Sequence, residues 1–172
     1  MTRYQEICEA ASAARKNWLN RKDRSLQCFV SLVDGLITYC AIPEDQIVFL
    51  RWDKAAGEGG SLRPPKDGER VFPPKAVEYD KDKDEWSLHI LIYVNPQRNF
   101  PRYYVTFGLF VTEKDGDLLV GVGPEQPRVI DPNDQSQREE FCQGIVEAIR
   151  ESFEHPRDPN PRGIGFTVVT SN

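Results

Sequence analysis

The chain has 172 residues, 39% of them hydrophobic and 28% charged, with a formal net charge of −5. That length suits a single domain able to remove roughly 70% of its unfolded surface from water. An acidic balance argues against nucleic acid or an anionic membrane as the main ligand, because phosphate binding draws on clustered lysine and arginine.

No apolar run approaches the ~20 residues that span a bilayer. The first residues, MTRYQEICEAASAARK, lack the apolar core of a signal peptide, so the expected location is cytoplasmic. Cys8, Cys28, Cys40 and Cys142 fall in helical patterns with no C-x-x-C spacing. Buried, reduced thiols are expected rather than a zinc or redox site, and no cofactor is implied.

In chain order, Tyr4, Ile7, Cys8, Ala11, Ala14 and Trp18 recur at three and four residues, which predicts a first amphipathic helix of about five turns. Arg15, Lys16, Arg21, Lys22 and Arg24 place positive charge toward its end, where cations suit the helix dipole. A second helix is predicted from about Ser25 to Ala41. It carries one stripe of Leu26, Phe29, Val30, Val33, Ile37 and Cys40 and another of Leu32, Leu36 and Tyr39. A helix apolar on nearly all sides is buried, here between the first helix and a sheet. Gln46 to Trp52 then reads as a short strand.

From Asp53 to Lys75 the composition turns to glycine, proline and charge, a long loop that is either disordered or a lid or partner-binding arm. Its GEGGS lacks the lysine and hydroxyl of a phosphate-cradling loop.

Trp86 to Gly123 reads as three antiparallel strands, with a further strand at Ala76 to Asp80 pairing Tyr79 with Trp86 and setting Asp80 against Glu85. Side chains alternate between faces. Trp86, Leu88, Ile90, Ile92 and Val94, with Tyr103, Val105, Phe107, Leu109 and Val111, make one dry face. Ser87, His89, Leu91 and Tyr93, with Tyr104, Thr106, Gly108, Phe110 and Thr112, make a mixed one. Asp115-Gly116 predicts a type I′ hairpin that sets Lys114 against Asp117, Val111 against Val120 and Leu109 against Val122. Ser136 and Glu139 have capping-box spacing at the start of a helix ending near Phe153, with Phe141, Ile145, Ile149 and Phe153 four apart. Prolines then break the chain before a terminal strand, Ile164 to Thr170.

These elements predict one α+β domain over residues 1–172: a mostly antiparallel sheet of about five to six strands, with two N-terminal helices and one C-terminal helix packed on one face.

Catalytic templates fit poorly. Asp80-x-Asp82-x-Asp84 starts like a calcium loop, but the sixth and twelfth positions are Glu85 and Leu91, so the sharp turn and the bidentate carboxylate are absent. No lysine has an acid two positions before it, as a PD-(D/E)-x-K nuclease requires, and there is no G-x-S-x-G elbow. GVGPEQ at Gly121 lacks the third glycine of a dinucleotide fingerprint. With only His89 and His155, a multi-histidine metal site is nearly excluded.

NPQRNFPRYY, residues 95–104, joins Arg98 and Arg102 to Phe100, Tyr103 and Tyr104, the residue types enriched at binding hot spots. The leading expectation is a non-catalytic module that recognises a protein partner through Tyr93, Arg98, Phe100, Arg102, Tyr104, Thr106 and Phe110. The rival is a small-ligand domain or enzyme whose pocket lies under the 53–75 loop, with His89 and Glu78 as an acid–base pair. An exposed strand edge could also join two copies as a homodimer.

Overall fold

The computed structural model describes residues 2–53, 61–63, 73–94, 102–123, 126–154 and 167–171, with 51–53, 61–63, 102–103 and 167–171 described by their backbone alone. The order is α1 (Arg3–Cys40), β1 (Ile47–Asp53), β2 (Ser61–Arg63), α2 (Pro73–Ala76), β3 (Glu78–Asp80), β4 (Glu85–Tyr93), β5 (Arg102–Lys114), β6 (Asp117–Val122), β7 (Arg128–Val129), α3 (Gln135–Glu154) and β8 (Thr167–Ser171). This is the α+β architecture expected. All eight strands belong to one sheet with a main path β2-β1-β4-β5-β6-β7; β3 adds to β4 and β8 to β5. Every pairing is antiparallel.

The two N-terminal helices expected from sequence are one helix of 38 residues, opened by a Thr2–Gln5 capping box. Apolar spacing lapses over Asn20 to Arg24, yet those residues include no glycine or proline to stop a helix. Distant partners hold this stretch instead. Arg21 Nη2 meets Asp84 Oδ2 at 2.7 Å, Arg24 Nη1 meets Glu113 Oε1 at 2.7 Å, and Arg24 Nη2 donates to the Gly116 carbonyl at 2.7 Å. The basic cluster therefore clamps two hairpin turns to the helix flank, and no basic residue occupies the helix's last turn. The helix ends at Ala41 in the left-handed region, whose N–H caps the Ile37 and Thr38 carbonyls.

Strand alternation sorts the sheet as expected. Across β4 and β5, Trp86 faces Val111, Leu88 faces Leu109, Ile90 faces Phe107 and Ile92 faces Val105, all of them buried. The Asp115-Gly116 turn has positive φ at both residues, 54° and 91°. It fixes Leu109↔Val122, Val111↔Val120 and Lys114↔Asp117, the register predicted from the turn. The β3–β4 hairpin likewise pairs Tyr79 with Trp86 and Asp80 with Glu85.

Helices cover the dry face. Cys28, Phe29, Leu32, Val33 and Leu36 of α1 and Phe141, Cys142 and Ile145 of α3 form one core with the dry-face strand residues. The second half of α1 thus lies directly on the sheet with α3 beside it, rather than between the sheet and another helix. The cap of α3 is Asp134, two residues before Ser136: its Oδ1 accepts the backbone N–H groups of Ser136 and Gln137. Phe153, placed inward by the fourfold spacing, is 38% exposed. Among the described residues, no helix is long and apolar enough to cross a membrane.

Burial of the cysteines differs from the expectation at one position. Cys28 and Cys142 are buried and Cys40 is partly so, but Cys8 is exposed. Burial pushes the Cys28 thiol up to about 12 and Cys142 up to about 11, so both stay protonated at neutral pH.

Candidate functional site

The face opposite the helices gathers most of the described candidate residues. Burial alternates along the first part of β4, with Ser87 and His89 half-buried between buried neighbours, and Tyr93 is half-buried at the strand's end. Their ladder partners on β5 are Phe110, Gly108 and Tyr104, and Leu91 pairs with Thr106. One row therefore holds Ser87, His89, Leu91 and Tyr93, and a parallel row holds Tyr104, Thr106, Gly108 and Phe110.

Two aromatic contacts organise these rows. Tyr93 and Tyr104 meet edge to face, with centroids 6.3 Å apart and an interplanar angle of 72°. His89 and Phe110 meet at 5.8 Å and 89°. The second contact depends on Gly108, the ladder partner of His89. A Cβ there would lie 2.8 Å from Phe110 Cζ and 3.1 Å from His89 Cδ2, so only glycine leaves room for the two rings to converge. The sequence carried a signal for this, since a lone glycine within a strand pattern marks a close approach.

The mixed face has a drier end. Leu50 pairs with His89 and Val48 with Leu91 across β1. Leu50 is 4% exposed and Leu91 6%, which makes the region around His89 more buried than a simple solvent face. The apolar run IVFL in β1 supplies this patch, with Leu50 its buried member and Ile47, Val48 and Phe49 half-buried. Burial alone lowers the His89 pKa, keeping the imidazole neutral at pH 7. No acidic group contributes to that shift. Glu78 sits on the same face one ladder step away, opposite Ser87, and no hydrogen bond joins it to His89.

Arg98 and Phe100 lie outside the described residues, as do His155 and the stretches 54–60 and 64–72 of the long loop. Arg102 is placed by its backbone in β5, opposite Ser171. Within the loop, Ser61–Arg63 forms a strand paired with Arg51–Asp53. A separate cleft of about 220 Å³ lies between the helices, lined by Asp34, Thr38, Tyr39, Arg138 and Cys142 among others.

The acidic turn at 80–84 proves to be internally satisfied. Asp80 Oδ1 accepts the N–H groups of Asp82 and Lys83, and Lys83 Nζ lies 3.7 Å from Asp80 Oδ2. Asp84, at φ 52°, accepts 2.6 Å and 2.7 Å hydrogen bonds from Tyr79 Oη and Arg21, which hold its carboxyl below the usual range. Glu85 is pushed up, first by burial and then by Asp80 across the ladder. Among the described residues, no group of three or more His, Cys, Asp or Glu side chains is placed to hold a metal ion.

Comparison of the chain with protein-family models, with curated proteins and with solved structures finds no match in any of the three.

Proposed function

We propose that this chain is a non-catalytic binding module that recognises a protein partner through the mixed face of its sheet. The observation that carries this reading is the pair of half-buried aromatic contacts, Tyr93–Tyr104 and His89–Phe110, on the side away from α1 and α3. Rigid aromatic side chains held by a sheet offer large contact area at little entropic cost, and strands orient them more closely than loops do. In sequence Arg98, Phe100 and Arg102 fall between Tyr93 and Tyr104, and the two arginines bring planar hydrogen-bond donors suited to carboxylates and backbone carbonyls. The setting is one in which the chain works in the cytoplasm by association rather than chemistry.

The test is affinity capture from the native host, comparing the wild-type chain with Tyr104→Asp and Phe110→Asp. Both variants should melt cooperatively within a few degrees of wild type and lose a partner that the wild type retains. Unfolding of both variants would show that the face is core, and retention of every partner by folded variants would remove the face from recognition.

A further inference from the structure

The N-terminal half of α1 carries an apolar seam that, before Trp18, has no cover among the described residues. Residues 2–20 are exposed throughout, Tyr4 by 75% and Ile7 by 67%, while Ser25, Cys28, Phe29, Leu32, Val33 and Leu36 of the same helix are buried. Contact with the sheet begins at Trp18, whose ring meets Tyr79 at 6.3 Å and Trp86 at 5.8 Å. At about 1.5 Å per residue, the stretch before Trp18 is a rod of roughly 22 Å.

The pattern on that rod is specific. Tyr4, Ile7, Ala11, Ala14 and Trp18 follow alternating steps of three and four, the seam of a two-helix pair rather than the broader stripe of a helix on a sheet. Continued by sevens, the same frame reaches Ser25, Cys28 and Leu32, so the bare seam and the buried one occupy the same face of one helix.

We propose that a second copy of this chain fills the seam, the two helices running antiparallel about a twofold axis at Ala11. Three features select this occupant. A parallel pair would bring two sheets onto the same side at the same height, where they collide; the antiparallel pair places each body beyond the first turn of the other's α1. With Ala11 on the axis, residues whose numbers sum to about 22 face one another, so Tyr4 reaches Trp18 of the partner subunit just where the rod ends. The middle of the seam, Ala10 to Ala14, holds only alanine and serine, which permits the close approach that an axis requires.

Charge agrees with this direction. Glu6 and Glu9, with Arg3 before them, lie in the first half of the rod, whereas Arg15, Lys16 and Lys22 lie in the half near the body. With the axis at Ala11, antiparallel pairing sets Glu6 of each helix beside Lys16 of the partner subunit and opposes the helix dipoles, whereas parallel pairing aligns like with like. The contact is short for a specific interface, so the dimer belongs with the weaker associations.

Sedimentation equilibrium between about 1 and 100 µM tests this. The wild type should pass from monomer to dimer, more weakly at high salt, and Ile7→Glu should weaken association at least about tenfold with an unchanged melting temperature. In a Cys8→Ser background, Ala11→Cys should oxidise to a covalent dimer, while Ile7→Cys and the outward Ala13→Cys should not. A wild type that stays monomeric, or a dimer insensitive to Ile7→Glu and joined by a sheet edge instead, overturns the proposal. So does efficient cross-linking of Ile7→Cys alongside Ala11→Cys, which would mean parallel helices. A monomer that co-sediments with phosphatidylserine vesicles would assign the seam to a membrane.

Discussion

Phe107 and Phe110 stand three residues apart on β5 and on opposite faces of one sheet. Phe107 is 2% exposed, faces Ile90 and lies in a core built from strands and two helices. Phe110 is half-buried, faces Ser87 and leans against His89 through a gap that Gly108 leaves open. The same side chain thus lies in a sealed core on one face and at a half-buried surface on the other. Strand parity alone decides which.

Truncation should separate them most sharply. Phe107→Ala removes a ring from a region with helices above it and strands on either side, and should cost about 3–5 kcal/mol in chemical denaturation. Phe110→Ala loses one ring contact and part of its burial, and should cost about 1–2 kcal/mol. Equal losses at the two positions would mean that the mixed face is a second core.

Gly108→Ala probes the boundary between the two roles. The new methyl has to displace the end of the Phe110 ring and the His89 edge, and overpacking of this kind costs about 1–3 kcal/mol. In the double variant Gly108→Ala/Phe110→Ala the space is restored, so most of that loss should vanish. A cycle measured by urea denaturation should show a coupling of about 1 kcal/mol or more. Simple additivity would place the glycine's importance elsewhere.

Much of this arrangement was legible in the sequence because it rests on short-range rules. Alternation separated Phe107 from Phe110, and Asp115-Gly116 fixed the register of β5 with β6 by its own backbone requirement. What escaped was set by distant residues. Arg21 and Arg24 carry α1 through a stretch without apolar spacing because Asp84 and Glu113, 63 and 89 residues onward, complete their ion pairs. Asp134 outcompetes Ser136 as the cap of α3, since a carboxylate two residues upstream reaches both free N–H groups. In the candidate site, the rows of Tyr93, Tyr104, Thr106 and Phe110 follow from parity. The dry patch of Leu50 and Leu91 beside His89 needed the pairing of β1 with β4, which no local signal specifies.

The acid side of the stability profile contrasts the mixed face with the clamp at the sheet's end. His89 has a pKa lowered by burial, so the unfolded chain binds its proton first as pH falls. Stability due to the neutral imidazole is complete above the unfolded value, near 6.5, and is lost as pH drops from there toward the folded value. Thermal melts of wild type and His89→Gln should therefore converge between about pH 7 and 5, with wild type losing more.

The smallest expected effect belongs to Asp84. Its carboxyl is depressed by the Tyr79 hydroxyl and then by Arg21, so it contributes above its unfolded value near 3.8, and the contribution fades as pH falls through the lower folded value. The Asp84 side chain is 53% exposed, which lets solvent screen the pair and limits Asp84→Asn to about 1 kcal/mol or less at pH 7. Added salt should shrink that difference while leaving the His89 difference in place, because burial rather than a partner charge sets the imidazole's shift. If salt erased both, the lowered His89 pKa would have to come from a nearby positive charge, and the mixed face around it would be wetter and more polar than Leu50 and Leu91 make it.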